Sequence, residues 1–110
     1  MDINPIYPGG TQLQEFGVPF DADTIEEAIV TYVQDGVGIV LEKSVSAFSE
    51  AEEEGNATFS YRLTQEESLL FRNHSKCKMQ VNLLMKDGTR QPSATWEVDC
   101  AEQFHRAVMT

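Results

Sequence analysis

Two cysteines and two histidines, Cys77, Cys100, His74 and His105, are enough in number for a structural zinc site. Their spacing speaks against one, because no Cys pair or His pair sits two to five residues apart as zinc ligands do. Cys77 lies three residues after His74, which offers a thiol a base. It also falls on the apolar face of an alternating strand, where a thiol stays protonated and inert. The carboxylate groups Glu26-Glu27 and Glu52-Glu53-Glu54 stand in turn-like segments without the apolar shelter that tunes an acid or a base. Gly9-Gly10 and Gly36-Val37-Gly38 lack both a following helix and the lysine of a phosphate loop. Phe59, Tyr61 and Trp96 take strand positions that fill a core rather than a sugar platform. Lys76, Lys78 and Lys86 read as a solvated, edge-protecting row, too few for a phosphate surface. The expectation is a non-enzyme with no catalytic, cofactor-binding or metal site.

What must position these residues is a single small domain. The 110 residues carry 18 acidic and 8 basic groups, a net charge of −10, with 41% hydrophobic residues. That balance suits a globular chain and disfavours nucleic acid or an anionic membrane as partner, since both need clustered cations. The charge is uneven. Residues 1–60 hold twelve acids and one base, Lys43, whereas residues 61–110 hold six acids and seven bases. A solvated acidic half explains this, and so does a dipole that orients the domain on a partner. Met1-Asp2-Ile3-Asn4-Pro5 lacks a basic start and an apolar run, and no stretch is long enough to span a bilayer. The expected location is therefore cytoplasmic at synthesis, and the sequons at Asn56 and Asn73 are read as chance matches.

Residues 1–10, with Pro5, Pro8, Gly9 and Gly10, read as an irregular lead-in to a domain over 11–110. Phe16, Val18 and Phe20 alternate in a first strand, Leu13 is out of phase, and a bulge near Gln14 is expected. Pro19 fits a strand end. Asp21–Glu27 suggests a turn with one helical turn, followed by a strand over Ala28–Gln34 whose two faces are both partly covered. Asp35–Gly38 turns the chain into a hairpin partner, Ile39–Lys43. Val45 and Phe48 tack the next stretch to the core, and Glu50–Gly55 forms an acidic turn in water. Ala57, Phe59, Tyr61 and Leu63 mark a half-buried strand. Thr64-Gln65-Glu66-Glu67 matches a capping box, so a short helix over 64–71 is expected to cross between sheets and plug the end of the core.

The last third alternates most cleanly. Cys77, Met79, Val81, Leu83 and Met85 oppose Ala94, Trp96, Val98 and Cys100 across Asp87-Gly88. A two-residue turn there pairs Lys86 with Thr89, Met79 with Trp96, Val81 with Ala94 and Cys77 with Val98. Cys100 is then a diagonal neighbour of Cys77, about 7 Å away between Cα atoms. That is wide for a disulfide, so reduced core cysteines are expected. Residues 101–110 suggest a final turn. Six to seven strands and one short helix predict an all-β fold, an antiparallel β-sandwich, Ig-like in general architecture.

The order of pieces carries a resemblance. Gly10-Thr11 opens the first strand and Phe20-Asp21 ends it; Ile29–Gln34, the stretch Tyr61–Phe71 and Lys86-Asp87-Gly88-Thr89 follow in turn. Over about residues 10–100 the chain resembles small proteins encoded in tail regions of phages and prophages of Gram-positive gut bacteria. These relate in layout to the immunoglobulin-like domain of baseplate upper proteins. The resemblance implies a structural or interaction module of a virion, whose partners are copies of itself or a larger tail or baseplate protein. Two other classes stay open: an acidic inhibitor mimicking nucleic acid, and a carbohydrate-binding module.

Overall fold

The computed structural model describes residues 6–7, 9–34, 37–52, 55–71 and 76–100. In chain order the elements are β1 (Leu13–Val18), a 3₁₀ turn (Ala22–Thr24), β2 (Ile25–Gln34), β3 (Gly38–Val45), β4 (Ser49–Glu50), β5 (Ala57–Arg62), α1 (Gln65–Ser68), β6 (Lys76–Met85) and β7 (Arg90–Asp99). They form two antiparallel sheets, β1-β5-β4 and β3-β2-β6-β7. The fold is the all-β sandwich that the strand count predicts.

Alternation builds the core from both sheets. Phe16, Val18, Ala57 and Phe59 come from the first; Ala28, Val30, Tyr32, Cys77, Met79, Val81, Leu83 and Val98 come from the second. Phe16 stacks on Phe59 at 5.1 Å between ring centroids, and Trp96 meets Phe16 edge-on at 5.7 Å across the sheets. Phe48 and Val45 pack against this cluster as expected. The chain crosses sheets through α1, and Phe71 closes that end, edge-on to Tyr32 at 5.5 Å. Thr64 and Glu67 form the capping box in full. Only one turn is helical, because Leu69–Phe71 must turn Phe71 inward while Leu70 stays exposed.

Four details differ from the sequence expectations. No bulge interrupts β1, whose pairing with β5 is continuous from Leu13 to Val18. Gln14 takes the inward position instead, fully buried, and the Tyr32 hydroxyl donates to its Oε1 at 3.3 Å. A polar residue thus occupies an apolar phase because a buried hydroxyl needs an acceptor. The β6–β7 turn has three residues, not two: Met85 N–H donates to Thr89 O, and Gly88 takes φ +90°. Lys86 therefore does not pair with Thr89. A bulge between Gln80 and Asn82 then restores the expected register, with Met79 opposite Trp96 and Cys77 opposite Val98, while Val81 has no single partner. Glu50 belongs to β4 rather than to a turn, exposed as expected, and its carboxylate accepts the Ala22 N–H at 3.0 Å. Lastly, Ile6 leaves the irregular lead-in to make a parallel bridge with Cys100 and is fully buried. Residues 35–36, 53–54 and 101–110, with the expectations placed on them, lie outside the described residues.

Candidate functional site

The interior chemistry is used up within the fold. The Tyr32 and Tyr61 hydroxyls, one from each sheet, share a hydrogen bond of 2.5 Å. Beside them, Lys43 of β3 points inward, its Nζ 2.7 Å from Glu67 Oε2 and 5.5 Å from the Tyr61 ring centroid. Burial pushes both phenols above the normal tyrosine range. Burial works upward on Glu67 too, but the Lys43 ammonium and the Thr64 N–H outweigh it and hold the carboxyl below its usual range. The cluster joins β1, β2, β3, β5 and α1, and all buried side-chain polar atoms among the described residues have partners. It has the hallmarks of a structural tie. A carboxyl depressed in the fold stabilises above its unfolded value of 4.5, and that contribution disappears as pH falls through the folded value. Glu67→Gln keeps a capping side chain and removes only the charge. It is expected to cost about 1 kcal/mol at pH 7 and progressively less toward pH 3, by urea denaturation. A constant difference across that range excludes the ion pair as the cause.

The thiols are equally quiet. Cys77 and Cys100 are buried and unpaired with each other. Burial, then the neighbouring Cys100, pushes the Cys77 thiol up to about 12; burial, then Asp99, pushes that of Cys100 up to about 11. The Gln34 amide donates to Cys100 Sγ at 3.4 Å. His74 and His105 lie outside the described residues, and no group of metal-ligating side chains gathers among the described ones. Phe59 is buried, and Tyr61 and Trp96 pack against the core. The lysine row is a correction: β6 is an inner strand flanked by β2 and β7, so Lys76 and Lys78 guard no edge, and Lys86 lies in the hairpin turn. At that end a cleft of about 610 Å³ runs beside Asp21, Asp23, Lys86 and Asp87. Asp87 there serves the turn, since the Thr89 hydroxyl and N–H both donate to it and hold its carboxyl low.

What remains is a surface. Alternation that buries one face of β2, β3, β6 and β7 sets the other face outward, and the register arranges it in four rows. Ile39, Val33, Lys78 and Glu97 form the first; Glu42, Thr31, Gln80 and Thr95 the second. Ser44, Ile29, Asn82 and Pro92 form the third, and Glu27, Leu84 and Arg90 the fourth. Ile39 is 64% exposed, Leu84 41% and Ile29 38%. With Val33 and Val37, five of the seven exposed large hydrophobics among the described residues lie on this face or at its end. A shallow groove of about 290 Å³ crosses it between Ile29, Leu84 and Arg90. Two of its three carboxylates are held in place, Glu42 by the Thr31 hydroxyl at 2.9 Å and Glu27 by Ser44 Oγ. The sequence hints at this face, since Ile29 and Val33 lie out of phase with Val30 and Tyr32, but alternation of apolar residues on both sides fits two covered faces equally well. Leu84 stands outward between buried Leu83 and Met85.

No helix among the described residues is long and apolar enough to cross a membrane. No protein-family model, curated protein or solved structure matches the chain.

Proposed function

We propose that this chain is a non-enzymatic protein-interaction module that binds through the outer face of its four-stranded sheet. The observation that carries this reading is the exposure of Ile29, Val33, Ile39 and Leu84 on that face, with Val37 at its end, among charged residues. Large apolar side chains left exposed together on one sheet face, beside charged ones, mark a surface for protein contacts. The resemblance at Tyr61–Phe71 supports a phage tail or baseplate as the setting. A nucleic-acid mimic is the weaker reading, because such a mimic needs one lane of charge. Here Glu15 lies on β1, in the other sheet, while Glu27 and Glu42 are engaged by hydroxyls. Inward-facing Phe59 and Trp96 likewise leave a sugar-binding platform without support.

The test is site-specific photo-crosslinking in cells that make the protein, with the probe at Ile39 or Leu84 and a control probe at exposed Glu15. Discrete heavier bands at the first two positions and none at the third are expected. Silence at Ile39 and Leu84 overturns the reading.

A further inference from the structure

The same face has a charge pattern that fits its own image, and, resting on the interaction reading above, we infer that its partner is a second copy of this chain. Consider a two-fold axis lying in the plane of the face, perpendicular to the strands, between the Thr31–Gln80 row and the Ile29–Asn82 row. It lays the fourth row of one copy over the first row of the other. Arg90 of each copy then faces Glu97 of the other. Glu27 of each lies one strand away from Lys78 of the other. Two acid–base contacts, each made twice, follow from a single operation. Leu84 of each lies over Lys78 of the other and Val33 over Glu27, while Ile29 lies over Thr31 near the axis.

The alternative operation, an axis parallel to the strands, also sets apolar residues over charges, Ile39 over Glu97 and Val33 over Lys78, and brings no acid directly over a base. The perpendicular axis is the one of the two that opposes unlike charges directly. Among the described residues no ion pair engages Lys78, Arg90 or Glu97 within the chain, whereas Lys76 already meets Asp99 at 3.7 Å. Aligned sheets cross at about 30°, an offset of a few ångströms at the corners that arginine and lysine side chains can span. Strands of eight to ten residues, spaced about 4.8 Å and rising about 3.3 Å per residue, give a face of roughly 600 Å². That meets the lower bound for a specific interface, about 600 Å² per partner, so micromolar association is expected.

Sedimentation equilibrium of the full chain from about 1 μM to about 1 mM, at low and high salt, tests the inference. A dimer weakened by salt is expected. Arg90→Glu and Glu97→Arg each place two like-charge contacts across the axis and should weaken it about tenfold. The double swap Arg90→Glu/Glu97→Arg restores the contacts and should recover wild-type affinity within about threefold. Both positions are exposed, so the fold is retained, which circular dichroism verifies. A monomer at about 1 mM, or a dimer indifferent to either swap or not rescued by both, overturns the two-fold. The two readings fail differently. A monomer whose Ile39 and Leu84 probes still trap a protein of another mass refutes only the second copy; silent probes refute the interaction face itself.

Discussion

Phe16→Ala should lower the unfolding free energy by about 3–5 kcal/mol, the largest loss expected from any single truncation in this core. Phe16 is fully buried and sits where the two sheets meet. It stacks on Phe59, lies 5.9 Å from Tyr61 and receives the edge of Trp96, so one ring is shared by three others. Alanine removes that contact on every side, and strands held by continuous pairing to β5 cannot close the gap. Against the stability of a domain this size, about 5–15 kcal/mol, such a loss is a large fraction. Urea denaturation followed by far-ultraviolet circular dichroism is the right readout, because Trp96 fluorescence changes with the mutation itself. Phe16→Leu, which keeps most of the volume, should cost less than half as much. Equal costs for the two show that ring stacking, rather than a cavity, is the source.

The second large effect is alkaline. Tyr32 and Tyr61 are acids whose folded values lie above the unfolded value of 10.0, so the charged form is disfavoured only in the fold. Their contribution is complete below about pH 10. Above it, the unfolded chain gains ionisation energy and stability falls, until pH reaches the folded values. The slope is about 1 kcal/mol per tyrosine per pH unit. The Cys77 and Cys100 thiols act in the same direction from pH 9 upward. Tyr32→Phe should cost about 1–3 kcal/mol at pH 8, since it takes a donor from Gln14 and a partner from Tyr61 together. Tyr32→Phe/Tyr61→Phe should cost less than the two single changes combined, because neither hydroxyl is then left facing an apolar group. At pH 11 the wild type's advantage over this double variant should shrink by about 2 kcal/mol, read from urea midpoints. Parallel stability curves from pH 8 to pH 11 refute the assignment.

Much of this was legible in the sequence, for reasons that can be named. Alternation over Cys77–Met85 and Ala57–Leu63 marks strands because one face of each must be buried, and the capping box marks α1 because its two hydrogen bonds are local. The Tyr32–Gln14–Tyr61 tie was not legible. It depends on three strands meeting, and Gln14 by itself looks like a break in an apolar pattern. A two-residue turn predicts the β6–β7 register correctly at Met79 and Trp96 even though the turn has three residues, since the bulge between Gln80 and Asn82 offsets the extra one. The outer face was half legible. Periodicity marks Ile29 and Val33 as one set, but nothing local says whether a second layer of the same chain covers them. That is fixed by β1, β4 and β5 packing on the opposite side.

The inward course of Lys43 bears on the open edge of its sheet. Strand β3 ends its sheet with backbone groups unpaired along one side, a template on which a stray chain can grow by adding a strand. On that strand Lys43 points inward, its ammonium held to Glu67 and lying over the Tyr61 ring. An inward-pointing charge is one of the devices by which edge strands are kept from pairing with a further strand. The single basic residue among the first sixty thus stands, inward-pointing, on an edge strand.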